Sequence, residues 1–216
     1  MTKKNFTLGV LTSGGDSPGM NAAIRAVVRI ALFHEANVLG VMSGYEGLIN
    51  GEYRSIGARD VGGILQRGGT ILQTRRSQRF FEKSFQREAI RNMSLAGMDG
   101  LIVIGGEGSL RGAHALAEQG VKVIGIPATI DNDIWGTNMA IGVDTAMNTI
   151  MDAVDKLRDT ASSHSRAFLI ETMGRGCGYL AVMAGIVCGA EIVLIPEVPT
   201  TVEEIASVLE LSLIHI

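Results

Sequence analysis

Short runs of aliphatic and β-branched residues alternate along the chain with segments whose apolar residues recur every three to four positions. The apolar runs predict buried strands and the periodic segments predict helices. Strands are predicted at 6–11, 38–42, 101–104, 121–126, 167–171 and 192–195, and helices at 21–33, 88–96, 110–119, 145–157, 180–187 and 201–211. This alternation predicts an α/β fold of three layers, with a mainly parallel sheet between two layers of helices.

Two segments bear on how this fold is divided. The polar stretch 159–165 could mark a passage between two halves of the chain. The helix that begins near 201 is followed by no further strand before Ile216. A truncated reading frame is one interpretation of that ending, and an apolar end docked on the fold is the other.

Composition narrows the class of protein. Of 216 residues, 46% are apolar and 19% are charged, and the net charge is −3, which is typical of a globular protein. The scattered basic residues indicate no nucleic-acid partner. No apolar run reaches the roughly 18 residues of a membrane span, so we expect no membrane partner and a cytoplasmic location. Cys177 and Cys188 have no metal-binding spacing and are expected to be free thiols.

The 28 glycines cluster where predicted strands give way to helices. The turn 12–21, with Gly14 and Gly15, opens a helix whose first amides would face an anion such as a phosphate. The turn 105–109 adds Glu107, a carboxylate able to hold Mg²⁺. The turn 173–178 places Arg175 among glycines, where it can clamp a phosphate. Neither of the first two turns has the Walker A lysine or dinucleotide-binding glycine spacing.

An acidic pair and an arginine-rich run complete the candidate chemistry. Asp131 and Asp133 follow an apolar run, and on an extended segment they would point to the same side, with Asn132 opposite. One acid could then take a proton while the other orients a cation or hydroxyl, although a helix-capping turn would use the same residues. The arginine-rich run 75–79 suits compact anions such as phosphates. Together these parts indicate phosphoryl transfer.

In this order the motifs Gly-Gly-Asp-x-x-Gly-x-Asn, Gly-Gly-x-Gly-Ser, Thr-Ile-Asp-Asn-Asp and Met-Gly-Arg resemble those of the bacterial 6-phosphofructokinases, over the N-terminal two-thirds of such a chain. The resemblance implies an ATP-binding α/β domain at 1–138 and the start of a fructose 6-phosphate-binding α/β domain at 139–216. It also implies Mg²⁺ as cofactor, ATP and fructose 6-phosphate as substrates, and a homodimer or homotetramer.

The resemblance further implies roles for individual residues. Asp131 would be the base that accepts the proton of the sugar 1-hydroxyl, assisted by Thr129, Asp133 and Arg76. The nucleotide would be held by Gly15, Arg76, Ser77, Gly106, Glu107, Gly108 and Ser109, with Glu107 as the metal ligand where most relatives have aspartate. The sugar phosphate would be held by Thr129, Ile130, Asp131, Arg166, Met173, Gly174 and Arg175, with Arg166 reaching a neighbouring subunit. An effector would contact Arg25, Arg29, Arg158, Gly189 and Glu191, although Ala58, Arg59 and Gly62 depart from the family pattern there.

The phosphoryl donor is expected to be ATP, because Gly108 and Ala128 are small where pyrophosphate-using relatives carry aspartate and lysine. A pyrophosphate-dependent phosphofructokinase is the alternative enzyme within the family. The NAD and lipid kinases share a Gly-Gly-Asp-Gly loop but lack the Thr-Ile-Asp-Asn-Asp and Met-Gly-Arg motifs. A non-catalytic fragment that binds nucleotide or sugar phosphate is the alternative that is not an enzyme.

Overall fold

A computed structural model describes residues 5–164 and 166–214. The strands are β1 (Thr7–Ser13), β2 (Asn37–Val41), β3 (Tyr53–Ser55), β4 (Gly100–Gly105), β5 (Val123–Thr129) and β6 (Ile141–Gly142). The helices are α1 (Met20–Phe33), α2 (Gly44–Asn50), α3 (Lys83–Leu95), α4 (Glu107–Ala117), α5 (Val143–His164), α6 (Tyr179–Cys188) and α7 (Val202–Ile214), with a 3-10 turn at Arg79–Phe81. No helix in the described ranges is both long and apolar enough to cross a bilayer.

The chain forms two compact units, of which the first ends at Thr129 and the second begins at Ile130. In the first unit the strand order is β3-β2-β1-β4-β5. Strands β2, β1, β4 and β5 pair in parallel, and β3 pairs antiparallel to β2 at the edge. The predicted, mainly parallel α/β arrangement is therefore confirmed. The assignment of an ATP domain up to residue 138 and a sugar domain beyond it remains a prediction about function.

The core of the first unit follows from the alternation of side chains along each strand. Leu11, Leu101 and Val103 point to one face, where they pack against buried residues of α2, α3 and α4. Neighbouring positions such as Val10 and Ile104 are buried on the other face, and α1 contacts β1 and β2. Because successive residues of a strand alternate between faces, a sheet covered on both sides buries nearly all of them.

The strand predicted at 121–126 forms as β5, but it is less buried than expected. The side chain of Ile124 is 64% exposed. Among the described residues of the first unit, α1 lies over β1 and β2, and no helix covers the same face of β5. An apolar strand therefore keeps part of its surface in water.

Two strand predictions are wrong. Residues 167–171 and 192–195 form no sheet strand in the structure; the second segment contributes only an isolated bridge between Ile195 and Val198. The Leu169 side chain is 91% exposed. An apolar run becomes a strand only when a neighbouring strand pairs with its backbone hydrogen-bonding groups. Within the described residues no strand pairs with either segment.

The remaining differences concern helices. The predicted passage at 159–165 is wrong as far as it is described, because α5 continues without a break to His164; Ser165 lies outside the described residues. The sequence analysis also missed α2 and β3. Helix α2 is shorter than two helical turns, and β3 is shorter than an ordinary strand. Both therefore carry little periodicity in their sequence.

Candidate active site

The first unit gathers its glycine turns at one edge of the sheet. Strands β1, β4 and β5 are parallel and in register, with Ser13 opposite Gly105 and Gly105 opposite Pro127. Their carboxyl ends therefore finish side by side, which is where ligands bind in open α/β sheets. Thr129, the last residue of β5, lies at this edge.

The turn after β1 contains two glycines that differ in backbone conformation and surroundings. Gly14 has φ +90°, a left-handed conformation that favours glycine, and a Cβ at that position would lie 3.2 Å from the Ser109 hydroxyl. The Thr74 hydroxyl donates a 2.8 Å hydrogen bond to the Gly14 carbonyl. Gly15 is exposed, has no positive φ, and would find nothing within 4 Å of an added Cβ. The fold alone does not require glycine at position 15.

The turn after β4 closely approaches the turn after β1. A Cβ on Gly105 would lie 2.5 Å from the Ser13 carbonyl, and a Cβ on Gly106 would lie 3.5 Å from that of Thr129. Ser109 is buried in the first turn of α4. Gly108, like Gly15, has open space above its Cα. The predicted nucleotide-binding residues Gly15, Gly106, Gly108 and Ser109 and the predicted catalytic Thr129 therefore share one edge of this unit.

Glu107 begins α4, and its exposed carboxylate forms an ion pair with Arg111 one turn later. Among the described residues no three acidic, histidine or cysteine side chains converge as a ready-made metal cage. Mg²⁺ is usually held by one or two carboxylates together with substrate phosphates and water. A single exposed carboxylate at the start of a helix, beside a turn that is predicted to bind phosphate, fits that mode.

The arginine-bearing segment is tied to the same edge by buried polar side chains. Asn21, in the first turn of α1, donates from Nδ2 to the carbonyls of Arg67 (3.0 Å) and Gly68 (3.2 Å). Its Oδ1 accepts from the Ile71 amide at 2.8 Å. The Thr12 hydroxyl donates to the Gln73 carbonyl at 2.9 Å. These bonds hold the backbone of residues 67–73, which leads to Arg76. The side chain of Arg76 itself is exposed.

The segment after Thr129 belongs to the second unit, and it is not extended as predicted. Asn132 has φ +52°, so the alternation that would place Asp131 and Asp133 on the same side of a strand does not hold. Asn132 tolerates this conformation because its side chain bonds locally. Its Nδ2 donates to the Asn138 carbonyl at 3.2 Å, and its Oδ1 accepts from the Ala140 amide at 3.0 Å. The acidic pair therefore lies on a loop closed by Asn132.

The two acids nevertheless interact. Partial burial raises the pKa of Asp131 above its usual range, and the negative charge of Asp133 raises it further, while the positive charge of Arg175 partly offsets both. Ile130, the preceding residue, packs on the core formed by Ala140, Val143 and Leu180. The second unit thus brings together Asp131, Asp133 and Arg175, and it anchors the acidic loop through Ile130.

The glycine turn that carries Arg175 has a strained conformation. Gly174 has φ +146° and a Cβ there would lie 2.5 Å from the Cys177 carbonyl, while Arg175 has φ +54°. The Cys177 amide donates to the Gly174 carbonyl at 2.9 Å, and the Gly178 amide donates to Glu197 Oε1 at 2.8 Å. The turn therefore holds the Arg175 backbone in a conformation that few side chains adopt. Met173 and Arg166 are exposed on the irregular segment before it.

The residues predicted to bind an effector are divided between the units. Arg25 and Arg29 lie one turn apart on α1, and the Arg25 guanidinium donates to the Val61 carbonyl. Arg158 lies on α5, Gly189 ends α6 with φ +65°, and Glu191 is exposed just after it. Their role as a set stays a prediction.

Three residues at the carboxyl edge were given no role by the sequence analysis. Asn21 is the last residue of the Gly-Gly-Asp-x-x-Gly-x-Asn motif, so the motif could have indicated it. Tyr45 and Glu46 lie on α2, which the sequence did not reveal. The Tyr45 hydroxyl donates to the Ser109 carbonyl at 2.6 Å, and the Glu46 carboxylate accepts from Ser77 and Arg79.

Comparison with known proteins identifies the family. Residues 7–213 match the phosphofructokinase family model. An ATP-dependent 6-phosphofructokinase of Thermotoga petrophila is 55% identical over 200 residues, which are 92% of this chain and 63% of that protein. A phosphofructokinase structure from Saccharomyces cerevisiae superposes with a TM-score of 0.87 at 40% identity, over 96% of this chain and 32% of that chain.

A pyrophosphate-dependent phosphofructokinase from Marinobacter aquaeolei superposes with a TM-score of 0.84 at 21% identity, over 95% of this chain and 57% of that chain. At that identity it shows the fold alone. The chain spans about 63% of the length of the curated relative that it matches. The family match and the shared fold confirm the resemblance that the motifs predicted. This chain belongs to the phosphofructokinase family.

Proposed function

We propose that this chain carries the nucleotide site and the catalytic base of an ATP-dependent 6-phosphofructokinase. The reaction transfers the γ-phosphoryl group of ATP to the 1-hydroxyl of fructose 6-phosphate and gives fructose 1,6-bisphosphate and ADP, a step of glycolysis. The observation that carries the proposal is the meeting of the two glycine turns at the carboxyl edge of the first unit, in a chain that carries the acid Asp131 two residues after the last residue of β5. The 55% identity to a relative named for this activity supports it.

The nucleotide is assigned to the edge of the first unit. Gly15 and Gly108 are the two positions there where the backbone is open to a ligand and the fold does not need glycine. The α4 N-terminus offers backbone donors and a favourable dipole to phosphate oxygens. The Ser109 amide already donates to the Gly106 carbonyl at 3.0 Å, so the amides that precede it are the ones assigned to the phosphates. Arg76 contributes a positive charge to the transferring phosphoryl group, and residue 77 adds a backbone contact.

Glu107 is the residue of this chain that would hold Mg²⁺. When bound, the metal neutralises charge on the phosphates. To reach it, the Glu107 carboxylate gives up at least part of its ion pair with Arg111. An exposed i to i+4 pair is worth only about 0.3–0.5 kcal/mol, so this exchange costs little.

Asp131 is assigned the proton transfer. As the oxygen of the sugar hydroxyl bonds to phosphorus, its proton passes to the Asp131 carboxylate, and the bond to the leaving ADP oxygen breaks. The raised pKa of Asp131 makes it a better proton acceptor than an ordinary aspartate. Asp133 and Thr129 support the base, while Ile130, Arg166, Met173, Gly174 and Arg175 complete the proposed sugar-phosphate site.

The donor is proposed to be ATP. Gly108 lies open in the first turn of α4, and Ala128 is small and buried near the end of β5. A side chain at position 108 would enter the space that the nucleotide phosphates need. We further propose a cytoplasmic homo-oligomer and an effector site that uses Arg25, Arg29, Arg158, Gly189 and Glu191.

The test measures ADP release from fructose 6-phosphate with MgATP, and phosphate release with pyrophosphate as sole donor. MgATP binding is measured beside turnover by calorimetry, because the curated relatives are longer. Asp131→Asn should lower turnover by about 10²–10⁴-fold and leave MgATP binding intact. Asp144→Asn, an exposed aspartate at the start of α5, is the matched control.

Three results would contradict the proposal. Turnover with pyrophosphate but not ATP would assign the other donor. Full turnover in Asp131→Asn would show that Asp131 is not the catalytic base. Absence of both turnover and nucleotide binding in the folded chain would show that this polypeptide is not a kinase.

A further inference from the structure

Glu46 lies in the first turn of α2, and both of its carboxylate oxygens are occupied. Oε1 accepts a 2.5 Å hydrogen bond from the Ser77 hydroxyl, and Oε2 accepts from the Arg79 guanidinium. Only 13% of the Glu46 side chain is exposed, against 44% for Arg79. These hydrogen bonds lower the pKa of Glu46, so it is ionised at neutral pH.

The turn that Glu46 holds is secured at further points. The Ser77 hydroxyl accepts from the Phe80 amide at 3.2 Å, and Gln86 Nε2 donates to the Phe80 carbonyl at 2.9 Å. The Arg79 guanidinium lies 5.2 Å from the centre of the Phe85 ring. A hydroxyl has one proton, and that of Ser77 is committed to Glu46. While this bond exists, residue 77 can donate to a phosphate only through its backbone amide.

The residue beside Glu46 links the same turn to the other phosphate-binding element. The Tyr45 ring stacks on Phe80 with centroids 3.9 Å apart, and its hydroxyl donates to the Ser109 carbonyl at 2.6 Å. Helix α2 therefore connects the 77–81 turn to the start of α4. Arg76 immediately precedes this turn and forms no ion pair within the described residues.

From this arrangement we propose that Glu46 is a positioning residue for the nucleotide: it anchors Ser77 and occupies Arg79, so that Arg76 is the guanidinium presented to the phosphates. The inference rests on the proposed nucleotide site and adds to it a residue of a helix that no phosphate-binding motif contains. Two physical effects carry it. The turn is already ordered before the ligand binds, so the entropic cost of ordering it is not subtracted from the free energy of binding. The Glu46 charge also offsets repulsion among Arg75, Arg76 and Arg79.

The test compares MgATP dissociation constants by calorimetry for the parent chain, Glu46→Ala and Glu46→Gln. Glu46→Ala should weaken binding about five- to tenfold, which lies within the range expected for the net contribution of one hydrogen bond. Glu46→Gln should recover part of this loss, because its amide oxygen still accepts from Ser77. Glu52→Gln is the matched control: Glu52 is exposed just after α2, and within the described residues its carboxylate accepts a hydrogen bond from Asn50 and none from the 77–81 turn.

A double-mutant cycle with Arg76→Ala separates positioning from general stabilisation. If Glu46 acts through Arg76, Glu46→Ala should weaken binding less than twofold in the Arg76→Ala background. An undiminished effect in that background would overturn the inference, as would MgATP binding by Glu46→Ala within twofold of the parent. Failure of the parent chain to bind MgATP would instead overturn the proposed nucleotide site, and the inference with it.

Discussion

Replacing Gly108 by alanine should stabilise the protein and weaken nucleotide binding at the same time. Gly108 is the second residue of α4, and a Cβ built there meets nothing within 4 Å. Alanine is favoured over glycine in a helix by up to about 1 kcal/mol, and less at its first turn. We therefore expect the free energy of unfolding to rise by about 0.5 kcal/mol, which corresponds to about 1–2 °C in Tm for a chain of this size.

The same methyl group should obstruct the ligand. If the open space at Gly108 receives the nucleotide phosphates, an added methyl overpacks the complex, at a cost of about 1–3 kcal/mol. That is about a five- to 150-fold rise in the dissociation constant of MgATP. Thermal unfolding and calorimetric titration of the same preparation give both values.

Gly112→Ala, one turn further along α4, is the matched control. Its Cβ would lie 2.8 Å from the Tyr45 ring, which is buried, stacked on Phe80 and bonded to Ser109, so it cannot move aside cheaply. We expect a loss of about 1–2 kcal/mol in stability there. Gly108→Ala with increased stability and unchanged MgATP affinity would refute the assignment of the open space to the nucleotide.

Three further predictions concern the acidic loop of the second unit. Because the folded-state pKa of Asp131 is raised, its charge destabilises the folded protein, and this penalty grows as pH rises from the unfolded-state pKa through the folded-state pKa. Asp131→Asn should therefore unfold at a Tm equal to or above that of the parent at pH 7, and a lower Tm would contradict the burial argument. Asp133→Asn removes a like charge, so the acidic limb of the rate against pH should move to lower pH; movement to higher pH would show that Asp133 does not act through its charge. Asn132→Ala should lower the free energy of unfolding, measured by chemical denaturation, by about 1–3 kcal/mol, because it removes two hydrogen bonds at a residue in the left-handed conformation. Asn132→Gly should lower it by about 1 kcal/mol less, because glycine adopts that conformation readily. Equal losses in the two variants would exclude backbone conformation as a cause.

The parts of the fold that the sequence predicted correctly are those governed by local pattern. Strands β1 and β4 and helix α1 lie within a few residues of the predicted bounds, because their apolar periodicity is strong and caps or glycine turns limit them. The glycine turns after β1 and β4 were predicted as strand-to-helix connections, and they are. In each case the determining interactions are between residues near in sequence.

The errors occurred where the outcome depends on distant partners. Residues 167–171 have strand composition but no pairing partner in the described chain. Asp131 and Asp133 follow an apolar strand, yet the bonds from Asn132 to Asn138 and Ala140 turn the backbone away from extension. Helix α2 has seven residues, too few for a clear period, and its formation depends on packing of Tyr45 and Leu48 in the core.

The sequence by itself determined the α/β class and the family, because the motifs and the alternation of strands and helices are patterns of residues that are near in sequence. It also predicted the residues that we propose for the site. Only the tertiary structure decided which of those residues meet and which side chains hold them. Ser77 and Glu46 are 31 residues apart, and Tyr45 and Ser109 are 64 residues apart. A hydrogen bond between such residues follows from the arrangement of whole strands and helices, and no local pattern encodes it.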